Sequence, residues 1–344
     1  MPTLYITEPG ARIEKEYHRI LVVNADGEAL FSAPLVHVTD VVIVGSVGVT
    51  TQAMLSLLAA GVSFSIISRS GRLLGRLVPP AEGNIFLRRE QYRRAADPAF
   101  CLEVARAIAL GKLKNQRAFA RRICRAHPNI PPEDIERISR AIQGAERETD
   151  MDGLRGQEGT GAKAYFRIFR SALRAGWEFE KRSRRPPGDP ANALLSFGYS
   201  LLTQNIMTAL EVAGLDPYDG FFHADVYGRP ALALDLVEEF RALIVDSVVL
   251  TVINKRILTP DEFAPAPMGE AQPAKFPQEE GGFYMKQHAL KRFLRAYNAR
   301  LQTAVIHPQA GRAITYQKCF EAQAWQLRRL IEGKIDVYEP FLTK

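Results

Sequence analysis

The sequence predicts an α+β protein in which a small N-terminal β-rich domain precedes a larger all-α domain. Short runs of β-branched and aromatic residues, separated by turn residues, occupy residues 1–80. From about residue 84 onward, apolar residues instead recur at helical spacing. Pro79-Pro80 interrupts both patterns and marks a boundary. We therefore expect a β-rich domain at 1–80 and an α-helical domain at 84–344.

The β-rich region contains one predicted helix among its strands. In chain order, the predicted strands are LYIT, RILVV, ALFS, DVVIVG, VSFSII and GRLLGRLV. Between the fourth and fifth strands lies QAMLSLLAAG, a helix-favouring segment. Thr50 or Thr51 is suited to cap its first amides, and Gly61 is suited to end it.

The helical region has two clear start signals. In both Asp97-Pro98 and Asp189-Pro190, an aspartate fits the N-cap and a proline fits the first helical position. Gly214 ends the second of these helices. Within 163–179, aromatic and leucine residues form one apolar stripe, which is typical of a core-facing helix. Five prolines within 259–282 predict a loop.

Composition excludes several classes of protein. The 344 residues are 47% hydrophobic and 24% charged, as expected for a chain that folds around a core and not for a disordered one. Three cysteines without paired spacing argue against a disulfide framework or a cysteine-rich zinc module. The N-terminus does not resemble a signal peptide, and no run approaches the roughly 18 apolar residues of a membrane span. We expect a cytoplasmic protein without a membrane partner.

The basic charge is concentrated in parts of the chain. The net charge is +7, yet residues 1–80 contain six basic and six acidic groups. Residues 84–125 contain eleven basic groups, Arg121 and Arg122 among them, and only three acidic ones. Such a concentration is typical of phosphate contacts and predicts a nucleic acid as a partner, although a solvated helix face is the alternative for each cluster. The other basic clusters are Lys181, Arg182, Arg184 and Arg185, and then Lys286, Lys291, Arg292, Arg295 and Arg300.

Three short segments contain the residues best suited to catalysis. They are LRGQEG with Glu158, GLDPYDGFFH with His223, and LDLVEEFR with Asp235 and Glu238. Asp235 and Glu238 are three residues apart on a predicted helix and therefore share one face. Carboxylates in so apolar a helix are costly unless they are paired or bound to metal.

Carboxylates together with one imidazole suit Mn²⁺ or Mg²⁺, and a basic protein with such residues is suited to phosphodiester chemistry. Each feature also has an ordinary alternative. Glu158, Asp235 and Glu238 could complement helix dipoles, and His223 could be a satisfied buried histidine. Gly159-Thr160-Gly161 predicts a turn before the next helix.

At these residues the sequence resembles the CRISPR-associated integrases of spacer acquisition, a family of metal-dependent DNA endonucleases. The matching segments are LRGQEGTGAKAYF, GLDPYDGFFH and DLVEEFR, in the family's order and spacing. DPANALLSFGYSLL and GKLKNQ also resemble the family, and the resemblance extends over nearly the whole chain. Glu239 departs from the pattern, because the family commonly has proline there. Asp219 and Phe222 also occupy positions that are usually apolar.

The resemblance implies a metal site formed by Glu158, His223 and Glu238, with Asp235 as a nearby acidic support. It also implies a homodimer formed through the β-rich domain and a catalytic helical domain that binds double-stranded DNA. A small ferredoxin-like adaptation protein is the implied partner. The implied reaction is attack of a DNA 3′-hydroxyl on a phosphodiester, which inserts new spacers into a CRISPR array for antiviral defence. Tyr165 and Arg167 are candidate substrate contacts, although Tyr165 also suits the core.

Two other functions fit the same residues. One is a structure-specific nuclease that acts on branched DNA in repair, with the same metal chemistry but without integration. The other is a non-catalytic DNA-binding scaffold in which the acidic residues are structural. Strand transfer into a repeat-bearing plasmid separates the first alternative from an integrase, and a metal titration separates the second.

Overall fold

The structure is a computed structural model that describes residues 3–78, 85–183, 187–224, 226–265 and 282–343. Contacts divide the chain into two compact units. The first comprises Met1–Glu82, Arg185–Ser200 and Leu258–Ala299, and the second comprises Gly83–Arg184, Leu201–Ile257 and Arg300–Lys344. The N-terminal region is therefore grouped with two later segments. The predicted boundary at Pro79-Pro80 lies outside the described residues.

Strands dominate the N-terminal region, as predicted. They are β1 (Thr3–Ile6), β2 (Arg12–Glu16), β3 (Arg19–Val23), β4 (Ala29–Pro34), β5 (Asp40–Val44), β6 (Gly48–Val49), β7 (Ser63–Ile67) and β8 (Leu73–Leu77), with helix α1 (Thr51–Ala59) after β6. Among the described residues they form two four-stranded sheets with strand orders β1-β5-β7-β8 and β4-β3-β2-β6. Ile13, Ile43 and Leu57 belong to the shared core of these strands and α1.

Helix α1 has the predicted boundaries. The side chain of Thr50 accepts a hydrogen bond from the amide of Ala53 at 3.3 Å, so Thr50 is the N-cap. Gly61 has φ +74°, a left-handed conformation that favours glycine and ends the helix.

Helices form most of the rest of the described chain. They are α2 (Ile85–Ala95), α3 (Pro98–Ala126), α4 (Glu133–Arg147), α5 (Met151–Ser171), α6 (Pro190–Val212), α7 (Ala231–Phe240), α8 (Ser247–Asn254), α9 (Gln287–Leu301) and α10 (Tyr316–Ile331). Short strands pair as β9 (Phe263–Pro265) with β10 (Phe283–Met285), and β11 (Ala304–Ile306) with β12 (Ala313–Thr315). The predicted α+β fold, with a β-rich region before a mainly helical one, is confirmed.

Local start signals predicted two helices correctly. The carboxylate of Asp97 accepts hydrogen bonds from the amides of Ala99 at 3.0 Å and Phe100 at 3.4 Å at the start of α3. Asp189 accepts from the amide of Asn192 at 2.7 Å at the start of α6. These caps satisfy amides that a helix leaves without intrahelical partners.

Three details of the helical region differ from the predictions. The apolar stripe does not continue to residue 179, because α5 ends at Ser171. The segment 259–282 is not entirely loop, since Phe263–Pro265 pairs as a strand, while 266–281 lies outside the described residues. The turn predicted at Gly159-Thr160-Gly161 does not form, because these described residues lie within helix α5.

Close packing explains why α5 has a glycine at position 161. A Cβ on Gly161 would lie 2.3 Å from Cδ2 of Leu113 on α3 and 3.2 Å from Cβ of Ala141 on α4. Glycine there lets α5 approach both helices. This packing outweighs the roughly 1 kcal/mol that a glycine costs in a helix interior. Helix α3 also packs against α7, so α3 contacts the helices that contain Glu158 and Glu238.

Candidate active site

The three segments singled out in the sequence meet around a buried lysine. Lys112 extends from α3, and its side chain is only 7% exposed. Its Nζ contacts Oε1 of Glu158 on α5 and lies 2.7 Å from Oε2 of Glu238 on α7. Nε2 of His223 lies 3.7 Å from Oε1 of Glu238. The fold therefore brings together Glu158, His223 and Glu238, which span 80 residues of sequence.

Asp235 organises the loop that contains His223. Its carboxylate is fully buried and accepts hydrogen bonds from the amides of Phe221 at 2.7 Å, Phe222 at 3.0 Å and His223 at 2.9 Å. The same carboxylate lies 2.7 Å from Nδ1 of His223. The geometry therefore favours a role for Asp235 in orienting His223 over a role as a helix-dipole partner.

This contact determines which ring nitrogen of His223 is available. An ionised carboxylate only accepts hydrogen bonds, so Nδ1 is the donor to Asp235. In the neutral ring, Nε2 then has a lone pair, and it is the nitrogen near Glu238. This is the arrangement by which a carboxylate orients a metal-binding histidine.

Two further contacts support the His223 loop. Arg155, on α5, donates a hydrogen bond to the carbonyl oxygen of Phe222 at 2.8 Å. A Cβ on Gly220 would lie 2.8 Å from the backbone of Ala231 and Leu232, so glycine lets the loop approach the start of α7. The loop is thus held by α5 and α7.

The charge of Glu238 is stabilised despite its burial. Burial raises the pKa of Glu238, but the nearby charges of Arg241 and Lys112 are the main effects that lower it, and the pKa falls to about 2. Nη2 of Arg241 lies 3.2 Å from Oε1. Glu238 is therefore an ionised carboxylate at neutral pH, as a metal ligand has to be.

The residues fit a hard divalent cation in their chemistry. Oε2 of Glu238 is buried, and the ammonium of Lys112 lies 2.7 Å from it. Two carboxylates and an oriented imidazole are donors that Mn²⁺ and Mg²⁺ accept. In the described residues, however, no group of three or more His, Cys, Asp or Glu side chains is arranged to hold a metal. The ammonium of Lys112 lies against the carboxylates instead.

The predicted DNA contacts occupy different environments. Arg121 and Arg122 are exposed near the end of α3, and the guanidinium of Arg122 lies over the ring of Phe119. Lys181 is exposed and Arg182 is half-buried, with a contact to the carbonyl of Ser183. Arg184 and Arg185 lie outside the described residues.

Tyr165 and Arg167 make contacts inside the protein. Tyr165 is fully buried and lies 2.7 Å from Asp246 through its hydroxyl, so substrate contact would require a rearrangement. Arg167 forms a two-nitrogen contact with Asp134, at 2.6 Å from Nη2 and 3.0 Å from Nε. Hydrogen bonding to Arg167 lowers the pKa of Asp134, and this pairing occupies the guanidinium.

Sequence reasoning missed Lys112, Arg155 and Arg241 as parts of the site. In the sequence, Lys112 is simply one of the eleven basic groups of 84–125, because a lysine that faces solvent and one that faces carboxylates look alike. The resemblance of GKLKNQ to the family was the signal that could have found it. Arg155 lies within LRGQEG, three residues before Glu158.

The residue after Glu238 has a separate structural role. Glu239 is buried and accepts hydrogen bonds from the hydroxyl of Tyr338, the amide of Phe341 at 2.7 Å and the side chain of Gln323 at 3.0 Å. Asn115, three residues after Lys112, donates to the carbonyls of Glu239 and Phe341. These hydrogen bonds hold the C-terminal segment against α7 and α3 beside the site.

Glu239 should make stability depend on pH. Burial, only partly opposed by its hydrogen bonds, raises the pKa of Glu239 from 4.5 to about 7. The folded state therefore binds this proton more tightly than the unfolded state. The resulting contribution to stability is complete below pH 4.5 and is lost as the pH rises to about 7. The whole effect is about 3 kcal/mol.

We expect Glu239→Gln, which cannot titrate, to lack this contribution. Urea unfolding from pH 5 to 8 should show the variant gaining stability relative to wild type as the pH rises. Glu146→Gln is the control, because Glu146 is about half exposed in its pairing with Lys114. A difference between Glu239→Gln and wild type that does not vary with pH would contradict the assignment.

Comparisons with known proteins identify relatives and similar folds over nearly the whole chain. CRISPR-associated endonuclease Cas1 3 of Thermus thermophilus is 37% identical over 342 residues, covering 99% of this chain and 97% of that protein. A casposase bound to integration product has the same fold, with a TM-score of 0.84 and 22% identity over 98% of this chain and 93% of that one. A Cas6-RT-Cas1–Cas2 complex matches with a TM-score of 0.81 and 23% identity over 99% of this chain and 36% of that one.

The relatives define an enzyme of the endonuclease class. More specifically, the family model for CRISPR associated protein Cas1 matches residues 4–299, and the chain belongs to that family. The resemblance and enzyme class inferred from the sequence are confirmed. No helix in the described ranges has the length and apolarity needed to cross a membrane.

Proposed function

We propose that this protein is a metal-dependent DNA endonuclease and integrase that inserts new spacers into a CRISPR array. Family membership supports a role in CRISPR adaptation. The observation that supports the chemistry is the convergence of Glu158, His223 and Glu238, with His223 oriented by Asp235. Glu158, Glu238 and Nε2 of His223 would hold one Mg²⁺ or Mn²⁺, and Asp235 would stay bound to Nδ1.

The proposed reaction is a transesterification. A DNA 3′-hydroxyl attacks a phosphodiester, one P–O bond forms, another breaks, and the leaving strand departs with its own hydroxyl; water as the nucleophile gives hydrolysis. A bound divalent ion would lower the pKa of the nucleophile and stabilise charge on the phosphate oxygens. The buried position of Glu238 and the fixed ring of His223 keep their donor atoms in place.

The test is strand transfer of a labelled duplex into a supercoiled plasmid that contains a repeat. An integrase joins the duplex covalently to the plasmid at the repeat boundary. A repair nuclease would instead cleave branched DNA without joining, and a scaffold would bind DNA without consuming it. Cleavage without any joined product would contradict the integrase assignment.

Exposed arginines at the end of α3 are our proposed duplex contacts. We expect reversal of Arg121 and Arg122 to glutamate to weaken duplex binding equally for all sequences, because phosphate contacts do not distinguish bases. The plot of log affinity against log salt should flatten by about 0.9 for each lost phosphate contact. Fluorescence anisotropy at four salt concentrations measures this slope. An unchanged slope would mean that these arginines are only a solvated face.

We also propose a homodimer formed through the β-rich region. In the sheet ordered β4-β3-β2-β6, β4 is at an edge, and its Phe31 is 47% exposed. Val36, just after β4, is 68% exposed, and Tyr17, between β2 and β3, is 86% exposed. Exposed apolar residues beside a sheet edge favour association with another chain.

The dimer can be tested by sedimentation at micromolar concentration. We expect a dimer for wild type and a monomer for the double variant Phe31→Asp, Val36→Asp. Val337→Asp is the matched control, since Val337 is 68% exposed and belongs to the second unit. A wild-type monomer, or a dimer unaffected by the double variant, would contradict the proposal. The proposed small ferredoxin-like partner is supported by the family resemblance and by the similar fold in the Cas6-RT-Cas1–Cas2 complex.

A further inference from the structure

The GKLKNQ segment contains a buried cation that the proposed reaction does not use. Lys112 lies with its ammonium against both carboxylates expected to bind metal. We propose that Lys112 is the resident counter-ion of Glu158 and Glu238. It holds them together in the metal-free protein, and a divalent ion has to displace it. This inference rests on the proposed metal site.

The packing of α3 explains why the ammonium is placed there. A Cβ on Gly111 would lie 2.5 Å from Pro340, and Leu113 packs against Gly161. The backbone on both sides of Lys112 is therefore confined. Burial of an ammonium is costly unless partners replace its water, and the two carboxylates are those partners. Rotation of the Lys112 side chain would separate the ammonium from the carboxylates without moving this backbone.

The charges at the site argue for competition between the ammonium and a metal. Glu158, Glu238 and Asp235 contribute three negative charges, opposed by Lys112 and Arg241, while His223 is neutral when Nε2 has its lone pair. Arg241 contacts Oε1 of Glu238, whereas Lys112 contacts Oε2. A divalent ion between the carboxylates would be within a few ångströms of the ammonium. At such a distance, repulsion between like charges in a buried site is large.

The test measures metal binding directly, in full-length protein without DNA. Mn²⁺ titration by calorimetry, or by the electron paramagnetic resonance signal of free Mn²⁺, gives the dissociation constant. We expect Lys112→Met to bind Mn²⁺ at least about tenfold more tightly than wild type, because the competing charge is gone. Lys114→Met is the control, since Lys114 is on the same helix but is partly exposed and contacts Glu146 at 3.5 Å. Its Mn²⁺ affinity should equal that of wild type.

Thermal unfolding provides the second measurement. In EDTA, Lys112→Met should melt at a lower temperature than wild type, because the two carboxylates lose their shared cation. Added Mn²⁺ should then raise the melting temperature by more than it does for wild type. If Lys112→Met does not fold, Lys112→Gln is also neutral and retains a polar end, and the same results are expected.

Several outcomes would overturn the inference. Suppose that a folded variant with a neutral residue at position 112 binds Mn²⁺ no more tightly than wild type does. Lys112 then does not compete with the metal. An unchanged melting temperature in EDTA would show that it does not stabilise the pair. If Glu238→Gln bound Mn²⁺ as tightly as wild type does, the proposed metal site would be contradicted, and the inference with it.

Discussion

Replacing Glu238 with glutamine should reduce both DNA cleavage and strand transfer to background while the protein remains folded. Glutamine has nearly the same shape, but it has no negative charge for a divalent ion. Glu238 is 3% exposed, and its carboxylate lies close to Lys112, Arg241 and His223. Breaking a buried ion pair costs about 3–5 kcal/mol. Lys112 retains Glu158 as a partner, which limits that loss.

Circular dichroism and denaturant unfolding should be measured alongside activity. Glu146→Gln is the matched control, because it removes one carboxylate charge from the partly exposed pair with Lys114. Its cleavage and strand transfer should equal those of wild type. A folded Glu238→Gln protein with normal strand transfer would contradict the role of Glu238.

Replacing Asp235 with alanine should weaken metal binding without abolishing chemistry. The variant removes the acceptor for three amides and for Nδ1 of His223, so the imidazole loses its orientation. Loss of a residue that orients a ligand typically costs about 10–100-fold in metal affinity. We therefore expect low activity that recovers as Mn²⁺ is raised, measured across a titration.

The loop itself should loosen in this variant. Each buried amide left without an acceptor costs about 1–3 kcal/mol, so Asp235→Ala should also be less stable than wild type. Asp235→Asn is the milder variant, because its one remaining oxygen still accepts. If Asp235→Ala were inactive at every Mn²⁺ concentration while Glu238→Ala recovered, Asp235 would be the metal ligand instead.

The elements that sequence predicts well are those with local causes. Asp97 and Asp189 satisfy amides a few residues away, so their caps are visible in the sequence alone. Strand β2 was missed because RIEKE is mostly charged, and its place depends on pairing with β3 and β6. The glycines of α5 suggested a turn, yet Gly161 serves the packing of three helices. Such contacts depend on residues distant in sequence.

The candidate site shows the same contrast between local features, which the sequence predicts, and contacts between distant residues, which it does not. Spacing places Asp235 and Glu238 on one helix, and resemblance suggests which of them binds metal. Their different roles depend on partners that are distant in sequence. Asp235 accepts hydrogen bonds from the amides of residues 221–223, whereas Glu238 forms an ion pair with Lys112. Arg167 stays a candidate DNA contact, and its pairing with Asp134, 33 positions away, is not visible in the sequence. Charge in a sequence does not indicate what the charge faces.

The measurement that tests the central claim most directly is anomalous diffraction at the manganese edge from wild-type crystals soaked in Mn²⁺. We predict one strong peak with Glu158, Glu238 and Nε2 of His223 as ligands, at about 2.0–2.6 Å. The Lys112 ammonium should have left the two carboxylates, and Asp235 should remain bound to Nδ1. A strong peak elsewhere, with Lys112 still between Glu158 and Glu238, would contradict this account of the site.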